Sequence, residues 1–169
     1  MPFTPFHLGV GALAKSIAPK RFSFQVFLLS TVLMDIEPGL GMVFDWDTLH
    51  GPTHTWLGAC LLALLTYAAW RAWERYRPQR FTMPQLGRWS VALSALFGTY
   101  SHVVLDATMH HDMAVHAEWA AKGYPVAHLQ LPTEGWCVAA AMLALFIFVV
   151  RRACFWAVMR WVRRPCNQR

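Results

Sequence analysis

Residues 135–150 read GWCVAAAMLALFIFVV and contain no charged side chain. Across the 169 residues of the chain, 56% are hydrophobic and 14% are charged, against about 25% charged in an average soluble domain. A soluble protein of this length would need more polar surface to cover its core. The composition therefore excludes a disordered chain, a disulfide-stapled secreted domain and an ordinary cytosolic enzyme. It indicates a membrane protein.

Three further stretches approach the roughly 20 apolar residues that a helix needs to cross a bilayer. They predict an all-α fold: an integral membrane bundle of four transmembrane helices plus a short N-terminal helix, in one domain of residues 1–169. Thr4 and Pro5 mark the start of the short helix, and Pro38-Gly39 is expected to end the first span. The expected boundaries are 5–18 for the short helix, about 22–37, 53–73, 89–109 and 135–152 for the spans, and a basic tail to residue 169.

Positive charge is distributed unevenly along this bundle. If the four spans alternate in direction, every Lys and Arg except Lys122 falls on one side of the membrane. By the positive-inside rule that side is cytoplasmic, with both termini inside. The basic residues therefore indicate how the chain is oriented in the membrane, and no nucleic-acid partner is expected. The basic residues of this side form three groups: Lys15, Lys20 and Arg21; Arg71, Arg75, Arg77, Arg80 and Arg88; and Arg151, Arg152, Arg160, Arg163, Arg164 and Arg169.

Ionisable residues fall at similar depths in three of the predicted spans. By the helical rise per residue, Asp35, His54 and His102 lie about 20–25 Å from the cytoplasmic edge, toward the outer face. Such residues usually face a bundle interior or a wet cavity and mark function. His102 and Asp106 are four positions apart in the chain, as are His50 and His54. On a helix, pairs with this spacing share one face.

Two ligands one helical turn apart can hold one metal ion. Imidazole together with carboxylate suits zinc, manganese or iron, and a coordination position left open for water makes such a site catalytic. Pro52 leaves open whether His50 lies on a helix or reaches in from a loop. The expected ligands are His7, Asp35, His50, His54, His102 and Asp106.

Each of these residues also has a structural interpretation. His54 can be an interfacial residue at the end of the second span, and His102 with Asp106 can be a hydrogen-bonded pair that ties helices together. Asp35 and His7 can face interfacial water.

The outer connections contain further polar residues. Residues 113–123 are expected to form a short interfacial helix, placed so that it can cover the site as a lid. The remaining histidines are expected to be solvated in these connections, and their roles stay open: His110, His111, His116 and His128.

The same residues carry a resemblance to a known family. The chain resembles the YdjM-like bacterial inner-membrane proteins, which are described as predicted metal-dependent hydrolases. The family has an early histidine, an acidic pair at the end of an apolar helix, a His…His-[Ser/Thr] element and a Ser-His-x-x-x-Asp element. The resemblance covers about residues 3–110, and the matching residues here are His7, Met34-Asp35-Ile36-Glu37, His50, His54-Thr55 and Ser101-His102-Val103-Val104-Leu105-Asp106.

The resemblance implies a reaction class and a place in the cell. The family is remotely similar to zinc-dependent phospholipase C and P1-type nucleases, all-helical enzymes that hold several zinc ions on His and Asp and cleave phosphoesters. It also implies the bacterial inner (cytoplasmic) membrane. Where this chain has Met34 the family usually has Pro, and where it has Glu37 the family more often has Asp.

The sequence thus predicts a membrane-embedded metal-dependent hydrolase, acting on a phosphoester of lipid or cell-envelope material. The expected cofactor is a divalent metal, zinc first and manganese second, and Asp35 or Glu37 is expected to take the proton from the attacking water. The bilayer is the expected partner. The alternative is a non-catalytic membrane protein that binds or transports metal; a haem bundle ligated by His54 and His102 and a purely structural protein are further alternatives.

Overall fold

The computed structural model describes residues 7–77, 85–110, 113–124 and 133–162. In this part of the chain every regular element is helical, which confirms the predicted all-α class. The elements are α1 (Leu8–Ile17), α2 (Phe24–Val43), a 3₁₀ turn (Pro52–His54), α3 (Trp56–Tyr76), α4 (Arg88–Met109), α5 (Ala114–Ala121) and α6 (Thr133–Val162). The predicted start of the short helix at Thr4-Pro5 and the end of the basic tail lie outside the described residues.

Two of the described helices are long and apolar enough to cross a membrane. They are Phe24–Val43, with a mean hydropathy of 1.6, and Gly135–Trp156 within α6, with 2.1. Helices α3 and α4 have 21 and 22 residues, but charged residues at the end of α3 and His, Asp and hydroxyl residues along α4 make them more polar. Length and composition alone therefore support two spans of the predicted four.

The first span does not end where the sequence predicted. Helix α2 starts after Ser23, whose hydroxyl accepts a hydrogen bond from the Val26 amide, and it continues through Pro38 to Val43. The proline removes one backbone donor, but Pro38 is buried and Glu37 beside it bonds to the turn at Thr53. The helix thus continues past the proline in a segment that packs against the rest of the fold. The prediction that Pro38-Gly39 ends the helix was wrong.

The second span begins later than predicted, at Trp56. Thr55 is its N-cap and accepts a hydrogen bond from the Gly58 amide. The three residues before it, Pro52–His54, form the 3₁₀ turn. His50 and His54 are therefore not one turn apart on a helix, and His50 comes from the loop.

The apolar core consists of two clusters at different positions along the axis of the bundle. Helices α2, α3 and α4 pack on one another, while α1 packs on α2 and α6. One apolar cluster includes Val26, Ala63 and Val91, near the ends that carry the basic residues. The other lies beside the polar cluster described below and contains Met34, Ala59, Val103, Ala107, Met113 and Val115.

Two glycines allow helices to approach closely. A Cβ at Gly98 in α4 would overlap the Ser30 hydroxyl of α2, and a Cβ at Gly9 in α1 would overlap the carbonyl oxygen of Cys137 in α6. The first contact brings α4 against α2, and the second brings α1 against α6. Both contacts help to position the histidines and aspartates near the ends of these helices.

Candidate metal centre

Asp106 lies at the centre of a cluster to which four elements contribute. Its Oδ1 is 3.2 Å from Nε2 of His7, the residue before α1. Its Oδ2 is 3.1 Å from Nε2 of His102, one turn earlier on α4, and 3.5 Å from Nε2 of His54 on the 3₁₀ turn. Asp35 of α2 approaches from another side, with Oδ1 3.2 Å from Nε2 of His102. The structure thus brings together residues that are up to 99 positions apart in the chain.

Two groups of three residues have the geometry of a metal site. The first is His7, His102 and Asp106, and the second is His50, His54 and Asp106. In each group the three ligand atoms lie within 4.8 Å of one another. Three protein ligands are the usual number in a catalytic zinc site, where the fourth position holds water or substrate. Asp106 belongs to both groups and has two oxygens to offer.

The cluster is buried, and several of its polar atoms have no hydrogen-bond partner among the described residues. His54 is 1% exposed, His102 is 0% exposed and Asp106 is 5% exposed. The unpartnered atoms are both ring nitrogens of His7, both of His102, Nε2 of His54 and Oδ2 of Asp35. Buried polar groups without partners cost free energy and are rare in native proteins. A cation would be bound by one nitrogen of each ring together with the carboxylate oxygens, so the donor set fits a divalent ion of the kind that imidazole and carboxylate bind.

Glu37 and Thr53 lie on the side of the His54 ring that faces away from Asp106. The Thr53 amide donates a 3.0 Å hydrogen bond to Oε2 of Glu37, and the Thr53 hydroxyl donates to the same oxygen. Nδ1 of His54 lies 3.0 Å from the Thr53 hydroxyl oxygen. Because the hydroxyl hydrogen is directed to Glu37, Nδ1 of His54 is the donor in this contact. Its Nε2 then carries the lone pair, as a metal ligand must.

The two predicted proton acceptors differ in their surroundings. The Asp35 side chain is 34% exposed and reaches His102, so it lies at the open edge of the cluster. Glu37 is directed toward Thr53 and lies 3.8 Å from Nδ1 of His54, the nitrogen that faces away from Asp106. Neither residue is in the two groups of three.

The other predicted histidines surround the cluster. His50 stacks on His110 with ring centroids 4.4 Å apart and lies 5.0 Å from the His54 ring. His116 donates from Nδ1 to the Ala107 carbonyl at 2.9 Å, so it is a buried residue rather than the solvated one expected. His111 and His128 lie outside the described residues.

Helix α5 corresponds to the expected short helix at 113–123. Met113 and Val115 are buried in the apolar cluster beside the site, and the Trp119 ring packs on Trp56 with centroids 6.3 Å apart. On its exposed side Lys122 donates to Glu118. This hydrogen bond lowers the pKa of Glu118 and raises the pKa of Lys122.

Thr53 is the residue of this site that sequence reasoning missed. Its hydroxyl links Glu37 to His54, which are 17 positions apart. The one available signal was its place between Pro52 and His54, and a lone threonine there carries no chemistry by itself. Comparisons of the chain with protein-family models, with curated proteins and with solved structures found no match.

Proposed function

We propose that this protein is an integral membrane hydrolase that uses a divalent metal ion. The observation that carries the proposal is the buried cluster of His7, His54, His102 and Asp106, in which Nε2 of each histidine lies 3.1–3.5 Å from an Asp106 oxygen but makes no well-formed hydrogen bond among the described residues. His50 completes the ligand set. Zinc suits these ligands best and manganese is the second candidate.

The exposed surface supports placement in a membrane. The apolar window of α6 is only 6% buried, whereas an apolar helix of a soluble protein is normally buried in the core. Helices α3 and α4 each leave a stripe of large apolar side chains exposed: Leu57, Leu61, Leu64 and Leu65 on α3, and Trp89, Leu93, Leu96, Phe97 and Val104 on α4. Soluble monomers rarely expose such continuous apolar surface. We therefore assign α3 and α4, together with α2 and α6, as the four spans.

The orientation follows from the distribution of charge. The basic ends of the four helices face the cytoplasm by the positive-inside rule, so the C-terminal end of α6 is inside and the metal centre is near the outer face. Because His7 lies at this centre, the chain enters α1 near the outer face, and only the C-terminal end is assigned to the cytoplasm. The resemblance to YdjM-like proteins supports the bacterial inner membrane as the location. It also supports a phosphoester of lipid or cell-envelope material as the substrate, because a site near the outer face is open to the head groups of that leaflet.

The residues of the site have different roles in the proposed reaction. A divalent ion at this site would activate water and polarise a phosphoryl oxygen. His7, His54, His102 and Asp106 would hold the ion. Asp35, at the open edge, takes the proton of the attacking water, since Oε2 of Glu37 already accepts two hydrogen bonds from Thr53. Glu37 therefore has a positioning role in this proposal.

The first test is the metal content of the detergent-purified protein, measured beside Asp106→Ala and Asp47→Ala. Asp47 is an exposed aspartate of the loop after α2, so its variant controls for loss of a carboxylate alone. We expect at least one equivalent of zinc or manganese in the wild type and in Asp47→Ala, and none in Asp106→Ala. A wild type that takes up neither ion when purified without chelator and resupplied would refute the metal centre.

The second test separates an enzyme from a metal-binding protein. The metal-loaded protein is assayed against a panel of lipid and cell-envelope phosphoesters, with Asp35→Asn as the comparison. Hydrolysis by the wild type that falls in Asp35→Asn while the metal is retained would support the proposed role of Asp35. Bound metal with no hydrolysis of any phosphoester would favour the non-catalytic alternative.

A further inference from the structure

A cavity lies apart from the metal centre, between α1, the start of α2, and α6. It has a volume of about 850 Å³, within the range of small-molecule sites. Its apolar walls include Ala12, Phe24, Ala144 and Phe148. Lys15 is eight residues beyond His7, which places it about 12 Å along α1 from the metal cluster. The cavity is therefore separate from the site described above.

Three cations line the same cavity: Lys15, Arg151 and Arg152. Lys15 Nζ is fixed by the carbonyl oxygens of Pro19 and Phe22 at 2.7 and 2.8 Å. Arg151 donates a 2.6 Å hydrogen bond to the Ser16 carbonyl. The described lining contains no carboxylate, so these charges are not neutralised within the cavity.

The apolar walls and the cations are arranged in sequence along α6. Ala141, Ala144, Leu145 and Phe148 line the cavity before the chain reaches Arg151 and Arg152. A ligand that matches this order has a hydrocarbon part and an anionic end. The cations are on the side that the charge distribution assigns to the cytoplasm, at the depth where lipid head groups lie.

We propose that this cavity binds one anionic phospholipid of the cytoplasmic leaflet, with its phosphate at Lys15, Arg151 and Arg152 and an acyl chain along α6. This inference rests on the membrane placement proposed above but not on the metal centre. Free phosphate matches the cations but not the apolar walls. A second copy of the chain would leave the cations without a counter-charge, because the exposed face of α6 beside the cavity is apolar.

The experiment compares lipids that differ only in the head group. Protein purified in a neutral detergent is titrated with phosphatidylglycerol and with phosphatidylcholine of the same acyl chains, and bound lipid is counted by native mass spectrometry. Arg152→Gln is the main variant. Arg152 stacks over Trp156 at the helix surface, 5.9 Å from the ring centroid, so the substitution leaves the helix contacts of α1 and α6 in place. Arg88→Gln, at an exposed basic residue outside the cavity, is the matched control.

We expect one phosphatidylglycerol per chain, bound more tightly than phosphatidylcholine in the wild type. Each basic residue near a head group favours an anionic lipid about fivefold, so Arg152→Gln should reduce the preference by about that factor. Arg88→Gln should leave the preference unchanged, and inorganic phosphate should not displace the lipid.

Equal binding of the two lipids to the wild type would overturn the proposal, as would an equal loss of preference in Arg88→Gln. Displacement by inorganic phosphate alone would assign the cations to a free anion instead. A chain that dimerises in detergent and retains no lipid would assign the cavity to a second copy. Failure of the membrane placement would be seen separately, as recovery of the intact protein in the soluble fraction without detergent.

Discussion

Substitution of Thr53 by valine tests whether Thr53 orients His54 as a ligand of the proposed metal centre. The Thr53 hydroxyl donates to Glu37 and lies 3.0 Å from Nδ1 of His54. Valine has nearly the same shape but no hydroxyl, so Nδ1 loses its acceptor. Nδ1 then keeps only the Glu37 carboxylate, 3.8 Å away, so the tautomer in which Nε2 carries the lone pair toward Asp106 is less strongly favoured.

The size of the effect follows from the burial of the residues involved. Loss of a hydrogen bond that orients a metal-binding histidine typically weakens metal affinity by about 10- to 100-fold, which corresponds to about 1.4–2.7 kcal/mol. His54 is 1% exposed, so bulk water does not replace the lost acceptor. The Thr53 amide keeps its 3.0 Å hydrogen bond to Glu37, and the turn should therefore stay in place.

The assay is a competition titration of the purified protein against a chromophoric chelator, with zinc as the ion. We expect the dissociation constant of Thr53→Val to rise by about 10- to 100-fold at unchanged stoichiometry, whereas Thr53→Ser, which keeps the hydroxyl, should bind like the wild type. His54→Ala, which removes the ligand itself, sets the upper limit. An unchanged dissociation constant in Thr53→Val, together with a clear loss of zinc affinity in His54→Ala, would refute the positioning role of Thr53. It would not contradict the proposed metal centre.

Three further predictions concern the ligands, the packing and the ion. Asp106→Asn should lower the metal content more than Asp35→Asn, because Asp106 belongs to both three-residue groups and Asp35 to neither; elemental analysis of the two variants decides this. Gly98→Ala should lower the free energy of unfolding by about 1–3 kcal/mol, because the added Cβ would overlap the Ser30 hydroxyl. Gly39→Ala is the control and should not lower it, because a Cβ at Gly39 meets nothing within 4 Å. A denaturant titration that ranks the two variants the other way would contradict the described contact between α2 and α4. Removal of the metal with a chelator should lower the unfolding temperature of the wild type, since an ion that binds only the folded state stabilises it; a chelator effect of the same size in Asp106→Ala would show that it does not act through this site.

The helices of this protein could be predicted because each is specified by its own residues. The apolar run 135–150 and the pair His102 and Asp106 needed only hydropathy and helical spacing to be placed on α6 and α4. The continuation of α2 through Pro38 could not be read in this way, since Pro38 is buried and Glu37 beside it is bonded to Thr53 in another element, and neither contact is visible in the local sequence. The local rule is that a proline ends a helix, but the effect of Pro38 on α2 cannot be predicted without the tertiary contacts around it.

The candidate site shows the same division. Spacing suggested that His50 and His54 share a helix face, but Pro52 starts a 3₁₀ turn and the two rings meet through loop geometry instead. His7 reaches Asp106 only because α1 packs against α2 and α6. The residue types of the site could thus be predicted from the sequence, while the links between them arise from packing.

The distance along the chain between His7 and Asp106 gives the cluster a topological consequence. An ion bound by both would close a loop of 99 residues, which is most of the described fold. A covalent cross-link that closes a loop of about 100 residues removes about 4.7 kcal/mol of chain entropy from the unfolded state. A coordinated ion would act differently: because it binds only the folded chain, it would leave the unfolded state unconstrained, and its stabilisation would depend on the ion concentration and end when the ion is removed. Binding of the ion would then link His7, at the start of α1, to Asp106 of α4 in a reversible way.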